Sequence, residues 1–323
     1  MDFTKRIRSK LYSSDPCGNW QGSLRNISIH FTKLIFFKFL SLFSRDKTIL
    51  AFVSNCGWIH IPPEHALPKI KNEHPNYDSI LPRFTNHLSK HFKDLLVLDI
   101  GANIGDTAIT MINIGGVDKV ICVEPCLYFY EILCKNKSLY NLETINCFIN
   151  NDTNRILYIK EDERGNAMAS KSAGIRQEDT CEVRTIDNIY DSICCKYKGN
   201  LKLIKIDVEG YDINALESAK KTITKTGSCV FFEIYPYLIT SKTKKNASDI
   251  TMILEDLCLY HLCIFDGWGT LISLFDIRTK EFKLFFDKLF RYSSKTMDIW
   301  FDGLAVNDEN QSILKSFIDE NKL

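Results

Sequence analysis

From residue 94 onward the chain alternates short, continuous apolar runs with helical segments. Residues 95–100 (LLVLDI) carry apolar side chains at consecutive positions, as a strand buried on both faces requires. A helix is expected over 105–114, a second strand over 119–124 (KVICVE) and a second helix over 126–141. A third strand is expected at 144–150, then a polar stretch, 151–185, holding two short strands. Further strands are expected at 201–207 (LKLIKID), 229–235 (CVFFEIY), 261–266 (HLCIFD) and 298–307 (DIWFDGLAVN). Helices fall near 211–225 and 247–259, with a helical insertion at 279–290. Strands alternating with helices predict an α/β fold with a doubly wound, mostly parallel sheet. Ligands in such sheets bind beyond the carboxyl ends of the strands, where the strand order reverses.

The first 93 residues lack this rhythm and read as an N-terminal extension; residues 94–323 form the main domain. Residues 1–28 look loosely ordered, and 46–93, with five prolines, read as an irregular cap. Between them 29–44 (IHFTKLIFFKFLSLFS) reads as an amphipathic helix, too short and too interrupted by Lys33 and Lys38 to span a bilayer. It suits packing on the main domain or peripheral contact with a membrane. The opening residues have no secretory apolar core. The 12 cysteines form no C-x-x-C, and several lie in apolar runs, which points to reduced thiols and a cytoplasmic protein. A net charge of +1 supplies no global field for nucleic acid, and KTKKN (242–246) is the densest basic cluster. No nucleic-acid partner is expected. His87 and His91 are explained by a surface helix.

Chemistry concentrates in VLDIGANIGD, residues 97–106. The strand ends at Asp99, Gly101 permits a sharp turn, and Gly105 permits close approach of a ligand or helix. The next helix points free N–H groups at the same place. This suits a nucleoside-bearing cofactor. A dinucleotide wants G-x-G-x-x-G beneath its pyrophosphate, but the spacing here is D-x-G-x-x-x-G with Asn103 at the second glycine position. Asp99 and Asp106 would repel a pyrophosphate and attract the sulfonium and ammonium of S-adenosylmethionine. Glu124, ending the second strand, is placed to accept hydrogen bonds from ribose hydroxyls.

Two further stretches carry acids at strand ends. In LIKIDVEGYDINALESA (203–219), Asp207 and Glu209 fall beside the expected cofactor, and Asp212 suits a helix N-cap. In VFFEIYP (230–236), Glu233 follows three apolar residues, so it must be paired or face the site. Asp207 or Glu209 is the candidate general base, with Glu233 orienting the acceptor. A divalent metal held by Asp207 and Glu209 could instead lower the hydroxyl's pKa, but two carboxylates make a thin site, and no metal is expected.

These stretches, with the closing MDIWFDGLAVN, resemble the FkbM-type S-adenosylmethionine-dependent methyltransferases over residues 95–307. The resemblance implies a seven-stranded class I methyltransferase fold and methyl transfer to oxygen on a sugar, glycan or related small molecule. It puts Asp99, Gly101, Asn103 and Gly105 at the amino-acid part of the cofactor, Glu124 at its ribose, Asn151 or Asp152 near adenine, and Asp207 close to the methyl group. The family often has two serines in a small-residue loop. Here that stretch reads Asn166-Ala167-Met168-Ala169-Ser170, which implies an acceptor of another kind if those serines touch substrate. The competing readings are a methyltransferase acting on RNA or protein, a cofactor-binding scaffold without catalysis, and an NAD-dependent oxidoreductase.

Overall fold

The computed structural model describes residues 48–153, 158–161, 167–170 and 181–323. The expected helix at 29–44 and the start, 1–28, lie outside the described residues, as does Asn166 in the small-residue stretch. The extension opens as a hairpin, β1 (Ile49–Val53) with β2 (Gly57–Ile61), and continues as helices α1 (Leu67–Glu73) and α2 (Ile80–His91). The main domain follows: β3 (Leu95–Ile100), α3 (Asp106–Asn113), β4 (Lys119–Val123), α4 (Leu127–Lys137) and β5 (Leu142–Ile145). After short ribbons β6 (Phe148–Ile149), β7 (Tyr158–Glu161), β8 (Ala167–Ser170) and β9 (Val183–Arg184) come α5 (Ile186–Ile193), β10 (Asn200–Ile206), α6 (Asp212–Glu217), α7 (Lys220–Thr226) and β11 (Cys229–Ile234). The chain closes with α8 (Pro236–Thr243), α9 (Ala247–Asp256), β12 (His261–Asp266), β13 (Leu271–Asp276), α10 (Lys280–Ser293), β14 (Phe301–Val306) and α11 (Gln311–Asn321).

The central sheet runs β13-β12-β14-β11-β10-β3-β4-β5. The five strands from β11 to β5 are parallel, and β14 lies antiparallel between β11 and β12. This is the class I methyltransferase arrangement, with eight strands where seven were expected. The extra strand is β13, which folds back on β12 as an antiparallel hairpin at the sheet edge. The chain winds outward from β3 through β4 to β5, then returns to β10 and β11 on the other side. The order therefore reverses between β3 and β10, and a binding crevice is expected above that pair.

Three expected elements are divided, each by side-chain hydrogen bonds competing with the backbone. The strand at 144–150 splits because Asn146 donates to the carbonyls of Glu124 and Pro125, after which β6 pairs with β9 outside the sheet. The helix at 211–225 splits at Ser218, whose hydroxyl donates to Ala215 and accepts from the buried N–H of Ile186. The helix at 126–141 ends at Lys137, where Ser138 donates to the Lys135 carbonyl.

One face of the sheet buries α5 to α7, α9 and α10; Phe282, Phe286 and Phe290 of α10 form an i, i+4 stripe against it. Each buried ring contributes about 1.5–3 kcal/mol. The other face is covered by α2, α3, α11 and the hairpin, in one continuous core containing Ile59, Phe84, Val97, Phe231 and Phe317. The extension thus shares the core of the main domain. His87, expected on a surface helix, is buried, with its Nε2 2.9 Å from the Ser316 hydroxyl of α11. No helix among the described residues is long and apolar enough to cross a membrane. None of the eleven described cysteines is in a disulfide, and burial pushes the thiols of Cys56, Cys229 and Cys263 up to about 12.

Candidate functional site

A cleft opens above the β3/β10 reversal. Its walls are the glycine loop after β3 (Gly101, Ala102, Asn103) with Asp106 and Thr107 of α3; Lys205 to Asp207; and Phe231 and Glu233 of β11. The far wall comes from the extension (His65, Tyr77, Asp78, Ile80) and from Gly267, Trp300 and Asp302. The extension is therefore part of the site, which its irregular pattern did not reveal.

At the base of the cleft Asp99 and Lys205 are direct register partners on β3 and β10. Their neighbours in the row on β4, β11, β14 and β12 are apolar or thiol: Cys122, Phe231, Leu304 and Cys263. Asp99 is fully buried and Lys205 nearly so. The ammonium lies 3.1 Å from Asp99 Oδ1 and 3.4 Å from Asp207 Oδ2, and it donates to the Gly101 carbonyl at 3.0 Å. Thr107 donates to Asp99 Oδ2 at 3.0 Å. Burial alone would lower the pKa of Lys205, but Asp99 and Asp207 outweigh it and hold the ammonium above its ordinary value. One cation thus ties together the first strand, the glycine loop and the acid at the end of β10. Asp99 braces the loop from behind and is not itself on the cleft wall.

Gly101 sits at φ +77°, and a Cβ there would lie 1.7 Å from the Asp207 carbonyl oxygen. Its bareness lets the loop lie against the end of β10. Gly105, at φ +88°, faces Leu133 Cδ1 at 2.6 Å from the Cβ position, so it serves the packing of α3 on α4 and not the approach of a ligand. Asn103 is on the wall in a left-handed conformation, φ +50°. Glu124 is buried beneath the loop, accepting from the N–H groups of Asn103 and Cys126, each at 2.8 Å. Burial, opposed by those two N–H groups, raises its carboxyl to about 7.

On the other side of the cleft Asp207 is half-exposed, and Glu233 pairs in register with Asp302 of β14. Burial, then Asp207 and Asp212, push Glu233 well above the usual carboxylate range; burial, then Asp78 and Asp207, do the same to Asp302. Burial, opposed by Lys71, raises Asp78 to about 6. Asp212 does not cap its helix from the preceding position. It is the first residue of α6, and its two oxygens accept from Val208 and Gly210, each at 2.9 Å. Burial, then Asp207, raise it to about 7.

Glu209 occupies the turn at φ +52°, off the cleft wall, and its carbonyl accepts from Lys242. Asn151 and Asp152 follow β6, also off the wall; the Asn151 amide donates to Glu217 and accepts from Asn214, and the Asp152 N–H donates to Asn150. Sequence reasoning missed Lys205, Asp302, Asp78, Tyr77 and Trp300. Lys205 and Asp302 each interrupt an apolar strand, the signal that singled out Glu233, and could have been found in the same way. Asp78 and Tyr77 carry no such signal.

The raised carboxyls set a pH dependence. Glu124, Asp212, Asp78, Glu233 and Asp302 all titrate higher in the folded protein than in the unfolded chain, so between about pH 4 and pH 7 the folded state binds more protons and stability falls as pH rises. The free protein is therefore expected to unfold at a higher temperature at about pH 6 than at about pH 8. A midpoint that climbs over that interval in a thermal scan contradicts it.

A model of the FkbM methyltransferase domain matches residues 99–261, half of the chain. No curated protein matches. Among solved structures, the methyltransferase FkbM from Methylobacillus flagellatus KT is 16% identical with a TM-score of 0.38, over 63% of this chain and 59% of that one. The chain thus spans less than two thirds of that protein's length. A precorrin-6y C5,15-methyltransferase from Geobacter metallireducens GS-15 is 10% identical with a TM-score of 0.36, over 71% and 86%. The plantazolicin methyltransferase BpumL in complex with SAH is 13% identical with a TM-score of 0.35, over 74% and 88%. With the domain match spanning the glycine loop, Glu124, Lys205, Asp207 and Glu233, the chain belongs to the FkbM methyltransferase family.

Proposed function

We propose that this methyltransferase uses S-adenosylmethionine to methylate a hydroxyl of a sugar, glycan or related small molecule. The observation that carries this reading is the charge of the cleft. Asp106 and Asp207 line it together with Lys205, whose ammonium is already engaged by Asp99 and Asp207, and beside them stand Asp78, Glu233 and Asp302, whose raised carboxyls a bound cation would draw into the charged form. Such walls attract a sulfonium and an ammonium and repel a pyrophosphate or an RNA backbone. The cofactor's amino-acid part is assigned to Gly101, Asn103 and Asp106, its ribose to the region over Glu124, and its adenine to the side of Asn151 and Asp152. Tyr77 and Trp300 offer the acceptor flat aromatic faces among hydrogen-bond acceptors, which suits a sugar ring.

Transfer is an in-line displacement at a carbon already activated by sulfur, so the protein supplies alignment and removes the hydroxyl proton. Asp207 or Glu233, both on the wall, is placed to take it; Glu209 is not. The sulfonium methyl–sulfur bond breaks as the oxygen–methyl bond forms, and S-adenosylhomocysteine leaves.

Calorimetry with S-adenosylmethionine and NAD tests the cofactor. Binding of the methyl donor and none of NAD is expected, and the reverse overturns the reading. Mass spectrometry of glycan and small-molecule extracts, treated with the protein and methyl donor, tests the acceptor. A gain of one methylene on a hydroxyl-bearing product is expected; a gain confined to protein or RNA overturns it. Asp207→Asn is expected to keep cofactor binding and to slow transfer by about 10²–10⁴.

A further inference from the structure

We propose that Asp207, Asp212 and Glu233 form a binding site for a hard divalent cation on the acceptor side of the cleft. The inference rests on the reading of that cleft as a hydroxyl methylation site and adds to it the means by which the hydroxyl is held and activated.

The three acids come from three elements. Asp207 ends β10, Asp212 opens α6, and Glu233 lies one residue from the end of β11. One carboxylate oxygen from each lies within 4.8 Å of the other two. Oxygens about 2.0–2.6 Å from a common ion reach separations of this size, so a single magnesium, manganese or calcium ion can touch all three. Sequence spacing pointed instead to Asp207 with Glu209, which is not among the three clustered acids.

A second observation is independent of the clustering. Glu233 Oε2 is wholly enclosed, and no hydrogen-bond donor reaches it. Glu233 as a whole is half-buried, and Lys242 acts on it through space without donating to it, so this enclosed oxygen lacks a direct partner, which a cation would supply. Among the described residues no salt bridge reaches Asp212 or Glu233. The nearby ammonium groups are committed: Lys205 to Asp99 and the Gly101 carbonyl, Lys242 to the Glu209 carbonyl, and Lys71 to the Tyr77 carbonyl beside Asp78.

The geometry around Asp212 fits a ligand held in place beforehand. Its oxygens each accept one backbone N–H, from Val208 and Gly210, which fixes the carboxylate plane and leaves a further lone pair on each oxygen. The donor set is oxygen alone, without imidazole or thiolate, which selects magnesium, manganese or calcium over zinc or copper. Three carboxylates leave coordination positions for water and for the acceptor hydroxyl. A hydroxyl bound there has a lowered pKa. Its proton passes to Asp207 or to water, its oxygen pair forms the new bond to the methyl carbon, and the electrons of the broken carbon–sulfur bond stay on sulfur.

The test uses the full chain after chelator treatment and dialysis, with manganese as the probe. Free Mn²⁺ is followed by electron paramagnetic resonance, and S-adenosylmethionine binding is measured in parallel by calorimetry. One Mn²⁺ per chain is expected, displaced by Mg²⁺ or Ca²⁺ and weakened roughly 10–100-fold or more in Glu233→Gln. Asp212→Asn should weaken it as well, with circular dichroism to confirm folding; Glu233→Gln decides the matter if that variant unfolds. No Mn²⁺ binding by the folded wild type up to about 10 mM, beyond the range of weak oxygen-ligand sites, overturns the proposal. So does binding that Glu233→Gln leaves unchanged. If the cation fails to bind while the methyl donor binds, only this inference falls. If the methyl donor fails to bind, the functional reading falls first.

Discussion

Lys205→Met is expected to destabilise the protein by about 3–5 kcal/mol and to abolish measurable methyl transfer. The substitution preserves the length of the stem and removes the charge. Asp99 would then be left fully buried, with Thr107 as its remaining side-chain partner. Breaking one half of a buried pair costs more than the pair is worth, because the survivor keeps its desolvation penalty. Burial already holds Asp99 above the ordinary carboxylate range; with the ammonium gone, the Thr107 hydrogen bond is left to oppose it, and the carboxyl takes a proton in the folded state more readily. A carboxyl raised in this way makes folding less favourable as pH rises from the ordinary carboxylate range through the raised value. The gap in stability between wild type and variant should therefore widen from about pH 5 to about pH 8. Urea unfolding at both pH values checks this; a gap that is equal or that narrows removes Lys205 as the counter-charge of Asp99. Activity should fall because the same ammonium holds the Gly101 carbonyl and lies against Asp207.

Gly101→Ala should have the second largest effect, by a different route. The left-handed φ of +77° costs an alanine about 1–3 kcal/mol. The Cβ would also stand 1.7 Å from the Asp207 carbonyl oxygen and 2.8 Å from its carbonyl carbon. Backbone cannot step aside as a flexible side chain can, so either the glycine loop or the end of β10 must move. A displacement of about 1 Å at reacting groups is enough to lose roughly 10² in rate. Gly105→Ala is the informative contrast. Its φ is as unfavourable, but its Cβ meets the tip of Leu133, which can rotate. It is expected to lose stability and keep most of its methyl transfer. Measuring transfer rate and unfolding midpoint for both variants separates the two routes. Equal losses of rate would mean that the position of Asp207 is not what Gly101 protects.

Both predictions depend on contacts between β3 and β10, strands a hundred residues apart in the chain. What was legible beforehand follows from that distance. Most of the β-strands and helices that build the main sheet could be read from local apolar periodicity, because a strand buried on both faces needs consecutive apolar residues and a helix needs a stripe. The edge strand β13, half-buried with Ile272 exposed, was not legible, and neither was the extension, whose hairpin and helices lie among prolines and polar residues. The small residues after β3 and the acids at strand ends were also visible, since turn chemistry and charge are local properties.

The sequence by itself determined that this chain forms a strand-and-helix alternation with a carboxylate-bearing glycine loop at the end of its first main strand. Tertiary structure decided which acids meet. It set Lys205 opposite Asp99, brought Glu233 to Asp207 and Asp212, left Glu209 off the cleft wall, and brought Tyr77 and Asp78 from the extension across the cleft. The reason is that a residue's local pattern reports whether it is buried, whereas its partner is set by strand order and register, which are properties of the assembled sheet.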